Sequence, residues 1–180
     1  MLEKLIQITK EYGVYDIAKF LLEDSRFGVW TGSSKPHQHH YGEGGLVKHT
    51  LEVVELCLQT NKFYNNIVDN QQLILAALFH DAGKMYDYFK KEDGEWTKGE
   101  HARQIHHISK SVIIWHDAVK ESGLFTDVEE NITHAILSHH GLREWGSPVG
   151  PATRLAWMVH LCDGLSARID DCDKFDRFKN

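Results

Sequence analysis

Apolar residues recur every three to four positions through most of the chain, and strand-like alternation is nearly absent. That period makes helices the units this chain can build. Proline, which ends them, occurs only at positions 36, 148 and 151. Helices are expected over 2–10, 13–23, 45–60, 66–80, 101–118, 127–139 and 151–171. Three polar, glycine-containing segments interrupt them: 31–45, 90–99 and 141–150. The second reads as a hairpin or a loose lid. The expected fold class is all-α, a helical bundle forming a single domain over 1–180. Its core spans about 35–170, with the helices of 1–30 packed on it. The amphipathic first helix packs on its own core or on a neighbouring subunit, so a homo-oligomer is open.

Charge and cysteine usage narrow the function classes. The 180 residues carry a formal net charge of -6, which argues against a broad basic surface for long nucleic acid. Cys57, Cys162 and Cys172 are odd in number and widely spaced, unlike a disulfide framework or a zinc knuckle. Cys57 and Cys162 lie in apolar runs and are expected to pack as small hydrophobes. A reducing, cytoplasmic setting fits, and no apolar run reaches membrane-spanning length. The acidic stretch 170–176 reads as a helix end with a solvated face, since it lacks the glycine and terminal glutamate of a calcium loop.

The outlier is histidine, with 13 in the chain. Their placement matters more than their number. His49 shares a helical face with Val53 and Leu56, and His80 continues the stripe of Leu73, Ala76 and Ala77. Asp163 lies among Ala156, Val159, Ser166 and Ala167, and His139 follows Ile132 and Ala135. A buried carboxylate without a partner is costly, so these helices need something to share. A divalent metal answers that need, and imidazole with carboxylate suits iron, manganese, zinc, nickel or cobalt. The first site is expected from His49, His80, Asp81 and Asp163. Adjacent His80 and Asp81 converge if the helix ends there and Asp81 turns back. His107, His139 and His140 would hold a second ion with Asp81 bridging, and His106 competes with His107. One or two ions are therefore open. Each histidine alone could also be an ordinary core residue.

The order His49, His80-Asp81, His107, His139-His140, Asp163 resembles the HD-domain superfamily of metal-dependent phosphohydrolases, over roughly residues 35–170. The segment His39-His-Tyr-Gly-Glu-Gly-Gly-Leu-Val-Lys-His49 is similar to YhaM-type 3'-5' exoribonucleases and to HD domains of conjugative relaxases. Ser138-His-His-Gly-Leu-Arg-Glu-Trp-Gly-Ser-Pro148 resembles the same exoribonucleases even more closely, and Val159-His-Leu-Cys-Asp163 looks like their last ligand helix. The resemblance implies that His49, His80, Asp81 and Asp163 are ligands, with His107, His139 and His140 completing the cluster. Those exoribonucleases carry a nucleic-acid-binding domain before the HD domain, and about 30 residues are too few for it here. The chemistry therefore carries over further than a polymer substrate does.

Other residues could serve such a site. Gly83 can end its helix and let the chain turn, bringing Lys84 to a substrate phosphate; Lys84 could equally be a helix-terminal lysine. His39 and His40 would contact phosphate or donate to a leaving oxygen, or else be exposed polar residues. Glu43 is a candidate base or water-positioning group, or part of a turn. Trp145 would stack on a base or cover the end of the core. Arg143 and Arg154 would pair with phosphate. Trp96 is expected to anchor its loop. The expected function is hydrolysis of a phosphate ester in a nucleotide or short single-stranded oligonucleotide by metal-activated water. The alternatives are a 3'-5' exonuclease on single-stranded nucleic acid and a non-catalytic nucleotide-binding regulatory domain.

Overall fold

The computed structural model describes residues 1–123 and 129–175, with side chains described to residue 171. Its centre is set by one segment, Leu73-Ile-Leu-Ala-Ala-Leu-Phe79, in which every residue is buried. A helix that is apolar all round has no face for water and must be surrounded. The chain surrounds it in order. Helices α1 (Leu2–Glu11) and α2 (Tyr15–Leu22) come first, then α3 (Gly45–Phe63) and the central α4 (Asn70–Phe79). A single turn, α5 (Lys84–Asp87), leads into a hairpin of β1 (Tyr88–Lys90) and β2 (Trp96–Lys98). The short α6 (His101–Gln104) precedes α7 (His107–Ser122), α8 (Glu129–Ser138), a 3-10 turn over Arg143–Trp145 and the long α9 (Arg154–Phe175). Helices α2, α3, α7, α8 and α9 all contact α4. The molecule is thus an all-α bundle, and the C-terminal end of α4 opens into its interior.

Several boundaries differ from those the apolar period predicts, each for a local reason. The helix expected from 66 starts at Asn70, because Asp69 caps it by accepting the Gln72 N–H at 2.9 Å. The first part of the helix expected over 127–139 lies outside the described residues. The last helix starts at Arg154 and runs on to Phe175. The largest difference is in the expected 101–118 helix, which breaks at Ile105–His106, where His106 adopts φ 70°. The buried Asp87 carboxylate causes the break. It accepts the His107 backbone N–H at 2.9 Å and lies 2.8 Å from His101 Nδ1, so it ties off α6 and starts α7. The 90–99 segment is a hairpin, held by Trp30 edge-on against the buried Trp96 and by the Trp30 Nε1–H donating to the Tyr88 carbonyl. Helix α1 buries Leu5 in the chain's own core. Cys57 and Cys162 are buried and free. Among the described residues no helix is long and apolar enough to cross a membrane.

Two expectations need correction. Gly83 does not itself end its helix, which stops at Phe79; it has φ -64° and sits in the right-handed turn that leads into α5. Glycine is required there by contact, since a Cβ at this position would lie 2.1 Å from the His107 carbonyl oxygen. Gly83→Ala must therefore push the α7 start away from the turn between α4 and α5. A loss of about 1–3 kcal/mol is expected, read as a lower midpoint in chemical denaturation. The acidic end of α9 is not simply solvated either. Asp170 accepts the His40 backbone N–H at 2.8 Å and pairs with Lys48 at 3.1 Å, which fastens the 31–45 loop to α9.

Candidate metal centre

Five elements deliver side chains to one interior point. His49 comes from the second turn of α3, and His80 and Asp81 follow the last residue of α4. His107 opens α7, His139 and His140 follow the last residue of α8, and Asp163 comes from mid-α9. Two groups result, each with one donor atom per residue and all donors within 4.8 Å of one another: His49, His80, Asp81 and Asp163, and Asp81, His107, His139 and His140. Asp81 belongs to both. Its Oδ2 lies 3.3 Å from His49 Nε2 and 3.4 Å from His80 Nε2. Its Oδ1 lies 3.5 Å from His107 Nε2 and 3.6 Å from His139 Nε2. His80 and Asp81 both follow α4 in a right-handed turn, where the His80 N–H still bonds the Ala76 carbonyl at 3.0 Å and the Ala82 N–H bonds that of Phe79 at 3.2 Å.

Hydrogen bonds settle which ring nitrogen of each histidine is available. His80 Nδ1 is 2.7 Å from the Ala77 carbonyl, His139 Nδ1 2.7 Å from that of Ile136, and His140 Nδ1 2.7 Å from that of Trp145. His107 Nδ1 faces the Asp87 carboxylate at 3.3 Å. Carbonyls and carboxylates only accept, so each Nδ1 carries the hydrogen. His49 Nδ1 is 3.0 Å from Ser166 Oγ, whose own hydrogen goes to Glu52 Oε2 at 2.8 Å, so it too donates. Every Nε2 therefore presents a lone pair inward. His49 and His80 present theirs to each other at 3.3 Å, beside the Asp163 carboxylate at 3.0 and 3.7 Å. Both Asp81 oxygens and the Nε2 atoms of His107 and His139 are buried without a hydrogen bond. Lone pairs and carboxylates packed this way require cations, and an imidazole whose outer N–H is held by an acceptor is the usual form of a metal ligand. The donor set fits one or two divalent transition ions.

Titration behaviour agrees with that geometry. Burial lowers His80, but Asp81 and Asp163 outweigh it and raise the group to about 10, so a proton can occupy the ligand position when a metal does not. Burial likewise opposes ionisation of Asp81 and Asp163, yet both stay well below the usual carboxylate range. Lys84 and His80 hold Asp81 there, and His49 and His80 hold Asp163. Burial pushes His107 down to about 4; burial with His139 and His107 nearby pushes His140 down to about 2. Both stay neutral, in the form that binds metal.

The remaining candidate residues separate into two sets. Lys84 is buried, with its ammonium 2.6 Å from Asp81 Oδ2 in an ion pair without hydrogen-bond alignment. His39 and His40 lie beside the first group, their rings 5.5 and 4.8 Å from that of His49. Neither is an exposed loop histidine: His40 is buried against Glu52 at 2.9 Å, and His39 is half-buried. His107 rather than His106 joins Asp81, because the break at His106 makes His107 the first residue of α7. Glu43 points elsewhere. It sits between Gly42 and Gly44, both at positive φ, and its exposed carboxylate meets Lys90 at 3.4 Å. Arg143 and Trp145 are exposed on the 3-10 turn, and only the Trp145 carbonyl reaches the cluster, through His140. Arg154 is exposed at the start of α9, on a groove apart from the histidines.

Asp87 and Glu52 escape a reading by period, and Ser166, which the period places on the Asp163 face, gains its role only through its contacts to His49 and Glu52. Asp87 is the most consequential of them. It holds both the His107 backbone and the His107 ring. Asp87→Asn is expected to weaken metal affinity by about 10–100-fold, as measured by chelator competition. An unchanged affinity would mean that Asp87 serves only the α6–α7 junction.

Comparison with known proteins gives the same picture. A model of the HD domain matches residues 46–168. The chain is 28% identical over 159 residues to the 3'-5' exoribonuclease YhaM of Shouchella clausii, covering 88% of this chain and 49% of that protein. It is 27% identical to YhaM of Bacillus subtilis strain 168, covering 92% and 52%. It is 26% identical to the dihydroneopterin 2',3'-cyclic phosphate phosphodiesterase of Methanocaldococcus jannaschii, covering 94% and 70%. The chain thus spans about half the length of these exoribonucleases. No solved structure matches it significantly. The clustered histidines and aspartates are consistent with metal-dependent phosphohydrolase activity. The match extends from the start of α3 to late α9 and encloses all seven residues of the two groups, so the chain belongs to the HD-domain family.

Proposed function

We propose that the protein is a metal-dependent phosphohydrolase that cleaves a phosphate ester of a nucleotide or short oligonucleotide. The observation that carries this reading is Asp81, one carboxylate whose two oxygens each face a separate set of inward imidazole lone pairs. Divalent ions bound there would lower the pKa of a coordinated water and offset charge on a phosphoryl oxygen. The chain's own groups do the rest. His107 and His140 stay neutral, and the outer N–H bonds of the clustered imidazoles fix their ring planes. Lys84 brings a positive charge to within reach of the Asp81 side of the site, where it can meet a phosphate oxygen. Burial pushes His39 down to about 3 and His40 to about 4, so near neutrality both are uncharged; the N–H of His40 goes to Glu52 and that of His39 to His40 Nδ1, which leaves His39 Nε2 as an acceptor beside the site. The leaving oxygen then takes its proton from solvent. A second reading, 3'-5' cleavage of a single strand, draws support from the YhaM relatives, which are 3'-5' exoribonucleases, and from the exposed ring of Trp145.

A metal-supplemented screen tests both. Nucleoside mono- and triphosphates, 3',5'- and 2',3'-cyclic nucleotides and short single-stranded oligonucleotides would be offered with each of the five metals. Turnover of one class is the expected result. A folded, metal-replete protein inactive across the panel would overturn the proposal.

A further inference from the structure

Among the described residues, helix α9 carries an unpartnered apolar face. Trp157, Leu161, Leu165 and Ile169 are 49%, 61%, 47% and 57% exposed, at intervals of four residues along one side. A groove of about 450 Å³ runs beside them, closed on its far wall by Tyr64 and Ile67. Monomeric proteins seldom leave so continuous an apolar strip in water. On the same face lies Gly164, in mid-helix, where an added Cβ would meet nothing within 4 Å. Glycine inside a helix costs about 1 kcal/mol relative to alanine. No described residue uses the space it leaves, so close approach by an external backbone is the use that fits.

We propose that this face pairs with its counterpart on a second copy of the chain, α9 against α9, antiparallel about a two-fold axis near residues 162–163. A two-fold interface must be self-complementary. One register meets that demand at three positions. Leu161 falls over the open space at Gly164 of the other copy. Trp157 falls opposite Arg168, whose side chain is 77% exposed, and a guanidinium over an indole is a favourable pair. Arg154, at the start of the helix, falls opposite Asp171, which pairs with Arg168 of its own chain at 3.5 Å and would then be shared between the two arginines. Each contact occurs twice by symmetry, and the antiparallel helix dipoles also attract. A second copy supplies all of these partners at once, which an unrelated apolar ligand does not. The inference is independent of the phosphohydrolase reading.

Sedimentation of the full chain across a concentration series tests it, with Leu161→Glu and Gly164→Leu alongside. The parent is expected to sediment at twice its 20.7 kDa chain mass. Leu161→Glu is expected to be monomeric, since the dimer would bury an unpaired charge. Gly164→Leu separates an interface from a folding defect. The added side chain enters open space in one chain and replaces a poor helix former, so the thermal midpoint of the monomer should hold or rise. In the pair it occupies the seat of Leu161, so the dimer should dissociate. A parent that stays monomeric throughout the series, or a dimer indifferent to both substitutions, would overturn the proposal.

Discussion

Asp81→Asn is expected to lower turnover by about 10³-fold or more, on the order of 4 kcal/mol of barrier. Bound metal should fall with it. The substitution keeps the shape of the side chain and removes its charge. An amide has one acceptor oxygen, and its NH2 group would turn donors toward a space lined with lone pairs, so it cannot serve two ions. The fold should survive at reduced stability, because the substitution keeps the shape of the side chain but removes the counter-charge of the buried Lys84 ammonium. Far-UV circular dichroism would establish that, and elemental analysis would count the metal. His140→Ala is the companion measurement. It removes a ligand from the second group only and leaves His49, His80, Asp81 and Asp163 intact, so it should roughly halve the metal per chain in a two-ion centre. If Asp81→Asn kept parental metal and rate, the bridging role would be wrong. If His140→Ala kept both, the second group would not be a metal site.

The second large effect concerns Lys84 and appears without metal. Its ammonium is buried 2.6 Å from Asp81 Oδ2 and is the nearest cation to that carboxylate. Burial alone would lower its pKa, but Asp81 outweighs burial and raises it, so the ammonium stays charged. Lys84→Met keeps the aliphatic stem and leaves the carboxylate to the His80 proton alone. Removing one partner of a buried ion pair is expected to cost on the order of 3 kcal/mol, measured by urea denaturation in chelator. Saturating metal should shrink the difference, because a divalent ion supplies the missing charge. An apo protein as stable as the parent would show that Lys84 is not the counter-ion of Asp81, and would leave substrate phosphate as its sole role.

Much of this arrangement is legible before folding, and the reasons are specific. His49, His80, His139 and Asp163 interrupt apolar faces whose period already dictates which way they point. Asp81 follows from the end of α4. Residues in the irregular segments are less legible. Glu43 looks like a base until the positive φ of Gly42 and Gly44 turns it to solvent. The choice of His107 over His106 depends on a left-handed histidine, and that depends on Asp87, twenty residues earlier in the chain. Gly83 matters because another helix approaches it, which a local turn rule does not register. Contacts that arise only on closure of the bundle leave no periodic trace in the chain.

The bonds from His80 and His139 to Ala77 and Ile136 have a further consequence. In each case the ring reaches back three residues to a carbonyl in the last turn of its own helix. Helix ends leave such carbonyls without an intrahelical donor, and they are the first bonds to open when a helix frays. In α4 and α8 the same ring that closes the end of the helix also presents its other nitrogen to the cluster. Fraying and ligand loss are therefore a single local equilibrium at these two ends. An ion captured at the centre draws that equilibrium toward the closed turn, so the terminal amides of both helices become a remote gauge of occupancy, readable by the slowing of their hydrogen exchange as metal is added.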